Sequence, residues 1–239
     1  MRMIFRPNMD RPRFWSKAPI FTTLILALLH GILGAQSAPL PTGPQESLRI
    51  MADRGDASAQ SELGINYYLG QGVTQDFSEA EHWLRLAAEQ GDATAQFNLG
   101  CLYYQGHGVP RNYTGAFFWY SSAAKQGNVD AQYILADMYL NGQGTQKSNV
   151  KAAQFFRKAA EQGDGAAQFK LGVMYNHGKG LPKDPVEAYK WYTIAAASGH
   201  AKAVEYRDKV AENMTPSQID EAQKLSRDFV AHPRQPKGE

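Results

Sequence analysis

The chain has 239 residues, with 25 Lys and Arg against 23 Asp and Glu. Five of those cations (Arg2, Arg6, Arg11, Arg13 and Lys17) stand in the first 37 residues beside one acid, Asp10, so the remainder carries 20 basic and 22 acidic groups. A near-neutral remainder gives no electrostatic case for nucleic acid or anionic lipid, both of which demand a concentrated basic surface, and a lone cysteine, Cys101, excludes an internal disulfide.

Residues 1–37 read as a secretory signal peptide. A basic stretch to Lys17 precedes an apolar run from Ile20 to Gly34, and the small residues Ala35-Gln36-Ser37-Ala38 follow. The run of ~15 residues is short of the about 20 that a spanning helix needs. Cleavage after Ser37 is the expectation, with an uncleaved membrane anchor as the alternative. On the first reading the mature chain is periplasmic or secreted and inserts in no membrane. Residues 38–44, with three prolines in Pro39–Pro44, form a short linker.

From residue 45 onward, self-similarity governs the sequence. Gln60, Gln96, Gln132 and Gln168 stand 36 residues apart, as do Leu63, Leu99, Leu135 and Leu171, and Tyr67, Tyr103, Tyr139 and Tyr175. Glycines recur at 70, 106, 142 and 178 and again two residues later, and an aromatic recurs as Trp83, Trp119, Phe155 and Trp191. Four units result: 57–92, 93–128, 129–164 and 165–200. Residues 45–56 match the second half of a unit, so the array opens on a half repeat. Residues 201–231 keep the helix pair but lose the markers, as a capping pair should, and 232–239 form a disordered tail.

Each unit predicts helix, loop, helix. Ala59, Leu63 and Tyr67 lie at i, i+4 and i+8, one apolar stripe of a helix over about Ala57–Leu69. Gly70 supplies a left-handed residue that ends this helix. Asp76-x-x-Glu79 and Asp184-x-x-Glu187 are Asp-x-x-Glu capping boxes for the second helix, and Asn112 and Ser148 stand at the same cap position. Thr215-x-x-Gln218 opens the final helix in the same way. A helix of 13 residues is marginal alone, so the units must stack, burying the Trp83, Trp119, Phe155 and Trp191 series. Full burial predicts a loss of about 3–5 kcal/mol for Trp119→Ala.

The unit A-x-A-Q-x-x-L-G-x-x-Y-x-x-G-x-G-V, followed by A-x-x-W-x-x-x-A-A-x-x-G, closely resembles the Sel-one-like repeat family over residues 45–231. The resemblance implies an all-α, right-handed α-solenoid related to tetratricopeptide repeats, with a concave groove. It further implies a protein–protein interaction scaffold or adaptor, many such proteins being exported by bacteria, and a regulatory role in the envelope. A cysteine-rich branch is linked with β-lactam hydrolysis, so a hydrolase of β-lactams or cell-wall peptides is the alternative; this chain lacks that branch's disulfides.

By analogy with tetratricopeptide repeats, the groove positions follow each Leu-Gly and end each first helix. They are Ile65, Tyr68 and Leu69; Cys101, Tyr104 and Gln105; Asp137, Leu140 and Asn141; Val173, Asn176 and His177. They vary between units while the scaffold markers do not. Tyr68, Tyr104, Asp137, Asn141 and His177 are the candidate partner-binding residues, since tyrosines anchor and polar groups set register. Phe97, Tyr133 and Phe169 recur in register and read as packing residues. The expected partner is another protein or a peptide segment, not nucleic acid, and self-association stays open.

Chemistry has weaker footing. Ser122-Ala123-Ala124-Lys125 is formally S-x-x-K, but its companion motifs are missing. His107 and His177 lie at different register positions, with no metal-ligand spacing. The paired loop glycines lack the lysine of a phosphate loop. No catalytic, cofactor or metal residue is assigned.

Overall fold

The structure, a computed structural model, describes residues 43–231. The expected signal peptide, nearly all of the linker and the expected tail lie outside the described residues. Among these, eleven helices and no strand form an α-solenoid. Helix α1 (Pro44–Asp53) leads. Four pairs follow: α2 (Ala57–Leu69) with α3 (Phe77–Glu89), α4 (Ala93–Gln105) with α5 (Tyr113–Lys125), α6 (Val129–Asn141) with α7 (Asn149–Glu161), and α8 (Gly165–His177) with α9 (Pro185–Ala197). Helices α10 (Ala203–Ala211) and α11 (Pro216–Ala231) both pack on α9 and close the array. Through α9, each helix packs on the next in the chain.

Each first helix starts on a side-chain cap. Asp56, Asp92, Asn128 and Asp164 accept from the N–H groups of Ala59, Ala95, Ala131 and Ala167 at 2.6–2.8 Å. These bonds satisfy donors that the helix leaves orphaned. Each second helix is capped by Asp76, Asn112, Ser148 or Asp184.

The expected capping boxes are one-sided. Glu79 and Glu187 accept instead from the indole Nε1 of Trp83 and Trp191, at 3.0 Å in both cases. The cap's own N–H is already used: Asp76 N donates to Tyr67 O and Asp184 N to Tyr175 O, both at 3.0 Å, which closes the loop onto the first helix. Each glutamate is thereby left for the indole. Among the described residues a reciprocal box forms only at Thr215 and Gln218.

Glutamine ties unit to unit. The Nε2 groups of Gln60, Gln96, Gln132 and Gln168 donate to the carbonyls of Ala52, Ala88, Ala124 and Ala160, the end of the preceding second helix, at 3.0–3.3 Å. Their Oε1 atoms accept from Gln90, Gln126, Gln162 and Ser198 at 2.7–2.8 Å. Every one of the four amides is buried, so both halves need a partner. The second loop glycine sets how closely the units approach. A Cβ on Gly144 would collide with the backbone of Tyr113 in the preceding unit, and one on Gly180 with that of Asn149.

The deepest aromatic register differs from the expected one. Tyr120, Phe156 and Tyr192 are fully buried, as is Leu84 at the same position. Leu84, Tyr120 and Tyr192 press on Gly64, Gly100 and Gly172 of the first helices, where a Cβ on Gly100 would stand 2.8 Å from the Tyr120 ring. Trp83 and Trp191 are buried as expected, at 4% and 3% exposure. Trp119 and Phe155 are only half-buried. The two buried indoles are those with a glutamate one turn earlier; Gly115 and Lys151 stand there in the other units. Phe97 and Tyr133 are buried as read, and half-buried Phe169 stacks on His200 at 4.2 Å between centroids.

His200 marks the end of the repeat. It occupies the place of the capping Asp or Asn, yet caps nothing: α10 begins at Ala203 with no side-chain cap. Its Nδ1 is buried without a hydrogen-bond partner among the described residues. Burial, then the charge of Lys202, pushes the imidazole below its ordinary value; Asp164 opposes this and Lys170 adds to it.

Two outcomes follow from this packing. Trp191→Ala should lose about 3–5 kcal/mol in urea unfolding and Trp119→Ala clearly less; equal losses would contradict the burial difference. A lowered folded value for His200 means that the unfolded chain takes up the proton first. Its contribution is therefore intact above about pH 6.5 and lost as pH falls below it. In His200→Phe, which keeps the stack, the melting temperature should fall less between pH 7 and pH 5 than in the wild type.

Candidate interaction surface

The first helices stand side by side, α2 touching α4, and carry the positions that vary between units. Their exposure rises along the array. At the position after Leu-Gly, Ile65 and Cys101 are buried, while Asp137 and Val173 are half-exposed. At the next, Tyr68 is buried, and Tyr104, Leu140 and Asn176 are half-exposed. At the helix ends, Leu69, Asn141 and His177 are exposed.

The five candidate residues divide into three places. Tyr68 is tied into the next unit: its hydroxyl bonds Gln105 Oε1 at 2.8 Å and lies 3.0 Å from His107 Nδ1. Burial pushes this phenol up to about 12. Its ring also packs edge-on against Phe77 at 5.3 Å, so Tyr68 offers little free surface. Tyr104 and Asp137 share a neighbourhood in units two and three, each within electrostatic reach of the other. The Tyr104 hydroxyl donates to Gln143 Oε1 at 3.1 Å, and its ring meets Tyr113 edge-on at 5.2 Å. Burial raises the Asp137 carboxyl, against the pull of Lys170 at 3.9 Å and a hydrogen bond with Tyr133. Asn141 and His177 end α6 and α8, in reach of solvent.

Sequence reasoning passed over Gln143 and Lys170, which complete this surface. Gln143 could have been found from its loop register, Gln71, His107, Gln143 and Lys179, which meets the tyrosine one unit earlier. Lys170 had no such signal, because its register neighbours Glu62, Asn98 and Ile134 share no chemistry.

Cys101 is a correction. Expected at the groove surface, it is fully buried and accepts from the Tyr120 hydroxyl at 3.3 Å. Close packing of α4 on α5, permitted by Gly100, draws it inside. Burial pushes its thiol up to about 12. The Ser122 hydroxyl donates to Phe118 O of its own helix at 3.2 Å, a local helical bond. Among the described residues no group of three or more His, Cys, Asp or Glu could hold a metal ion, and no helix is long and apolar enough to cross a membrane. A cleft of about 500 Å3 beside α1 is lined by Arg49, Tyr67, Asp76 and Glu79. All four already have structural work, since Arg49 donates to Tyr67 and Asp53, Asp76 caps α3, and Glu79 holds Trp83.

The family model described as Sel1 repeat matches residues 57–92, 93–128, 129–164 and 165–200. Among solved structures, a Sel1 repeat protein from Oxalobacter formigenes is 35% identical with a TM-score of 0.65, covering 70% of this chain and 48% of that one. A protective antigen present in uropathogenic Escherichia coli strains, displaying an SLR fold, is 27% identical with a TM-score of 0.39, covering 79% of this chain and 56% of that one. Cysteine rich protein B of Helicobacter pylori is 22% identical with a TM-score of 0.42, covering 53% and 96%. The chain spans about half the length of the first two. None of the curated proteins matches it.

A thiol held near 12 in a closed core is neither ionised nor reachable at neutral pH. Native protein at pH 8 should therefore resist iodoacetamide, and unfolding in urea should release one reactive thiol. Rapid native labelling, read by mass spectrometry, would place Cys101 at the surface after all.

Proposed function

Because the chain belongs to the Sel1 repeat family, we propose that it is a protein-interaction scaffold that holds a segment or domain surface of another protein against the first-helix face of repeats two to four. Sel1 repeat proteins are generally protein-interaction scaffolds. The supporting observation is the split between registers. Positions that bind neighbouring units repeat their chemistry, as the four buried glutamines do, whereas the half-exposed positions carry Tyr104, Asp137, Leu140, Val173 and Asn176. A half-buried tyrosine beside apolar side chains and an ion pair suits a partner that presents an apolar anchor flanked by polar groups.

The envelope setting is part of the same proposal and rests on the apolar run and small residues before Ala38. There the scaffold would act as a regulator or adaptor of an envelope process. The hydrolase alternative draws no support from Ser122, whose hydroxyl is turned onto its own helix.

Affinity capture from the native envelope fraction tests this reading, with wild type beside Tyr104→Ala/Asp137→Lys. A partner held by the wild type should be lost from the double variant, whose helical circular dichroism should match the wild type. The same partners on both proteins would remove the first-helix face from the reading.

A further inference from the structure

We infer that the loop edge of repeats two to four is a second docking surface, which takes an acidic polypeptide segment. The loops joining first to second helices lie next to one another along one edge of the solenoid. Gly144 lies against Tyr113 and Thr114, and Gly180 against Asn149 and Val150, while Tyr104 reaches across to Gln143. With the first turn of each second helix, these loops carry Arg111, Lys147, Lys151, Lys179 and Lys183, all exposed. Among the described residues none of the five is in an ion pair. The two acids on this edge are engaged internally: Asp184 caps α9, and Glu187 holds Lys190 and Trp191.

The fold does not require these cations. Arg111, Lys147 and Lys183 occupy one register, each with its Cβ packed beside the glycine that ends the first helix, Gly106, Gly142 and Gly178. In repeat one the same place is Gln75, and that loop and first turn carry Asp76 and Glu79 with no cation. Lys151 stands where repeat one has Glu79. Outside this edge the described chain holds 13 basic and 19 acidic residues, so the positive field is local.

Geometry favours a polypeptide over a broad anionic surface. Successive loops touch, Gly144 lying against Tyr113 and Gly180 against Asn149, so they follow one another at roughly the spacing of packed elements, about 10 Å. A chain in polyproline II geometry rises about 3.1 Å per residue with three residues per turn, so acidic side chains at every third position face one loop after another. Arg111 lies over the Tyr113 ring and Lys151 over that of Tyr139, at 5.9 and 5.3 Å from the centroids, which holds both charges in place. A membrane or a nucleic acid duplex would also meet the acidic lead helix and repeat one, and be repelled there.

The surface borders the first-helix face but does not depend on it. Fluorescence anisotropy of the full chain with an acidic peptide of about 15 residues, glutamate at every third position, tests the inference. The peptide should bind, more weakly as salt rises, and its glutamine counterpart should not. Lys147→Glu/Lys183→Glu should weaken binding about tenfold or more, while Asp137→Asn on the first-helix face should leave it unchanged. Undiminished binding by the charge-reversed chain overturns the inference. So does tighter binding of phosphatidylserine vesicles or duplex DNA than of the peptide, or a dimer in light scattering that the charge reversal dissolves. Absent peptide binding beside successful partner capture removes this edge and leaves the first-helix face standing. Peptide binding lost on charge reversal, beside failed capture, does the opposite.

Discussion

One buried amide per repeat holds this array in register. Hydrophobic burial drives the stacking of helix pairs but has no direction, and alanine-rich faces could slide past one another. The glutamines at 60, 96, 132 and 168 remove that freedom. Each donates to a carbonyl at the end of the preceding second helix, one of the last four that a helix cannot satisfy internally. Each also accepts from the end of the second helix in its own unit. A slip of one residue would leave both halves of that buried amide without partners, at a cost of about 1–3 kcal/mol each.

That constraint divides the labour among positions. Once glutamine fixes register, the glycines after Leu99 and Leu171 let a bulky ring approach the first-helix backbone, and the second loop glycine lets each loop rest on the unit before it. Small residues therefore mark the contacts and large ones fill them. Tyr67, Tyr103 and Tyr175 are held by Arg49, Arg85 and Arg157 across the unit boundary. Opposite the third unit's Tyr139 the arginine register holds Ser121 of the second unit, and Tyr139 instead stacks on Phe155 at 5.7 Å. The scaffold thus tolerates a different solution where geometry allows one, and positions outside these contacts are released to vary.

The repeat was legible because every unit solves the same packing problem with the same residue types, so helix ranges and caps could be read from periodicity alone. What periodicity conveys is recurrence, not partnership. Glu79 and Glu187 fit a capping box by spacing, yet the closing bond from Asp76 and Asp184 to the first helix had already taken the donor they would accept. Trp119 fits the tryptophan register but lacks the glutamate that accompanies Trp83 and Trp191. Cys101 was misplaced because tetratricopeptide analogy counts positions, whereas Gly100 draws α4 and α5 together and takes the cysteine with them. Of the candidate site, Tyr104 and Asp137 stand out as variable positions and Gln143 follows from its loop register, but Lys170, which faces Asp137, comes from another helix at a position whose chemistry does not recur.

Where the array stops, its logic becomes visible by contrast. At residue 200 the capping acid gives way to histidine, and the helix that follows starts two residues late and without a side-chain cap. The ring lies flat on Phe169, with Tyr206 edge-on to that same phenylalanine at 5.0 Å. A fifth unit would need a polar cap there to begin a full first helix. An aromatic plug instead covers the apolar end of the fourth, and α11 folds back onto α9 to cover the rest. The same substitution that ends the repeat thus seals its core. It also places at the joint between repeat and cap a histidine whose affinity for a proton is lowered by its burial there.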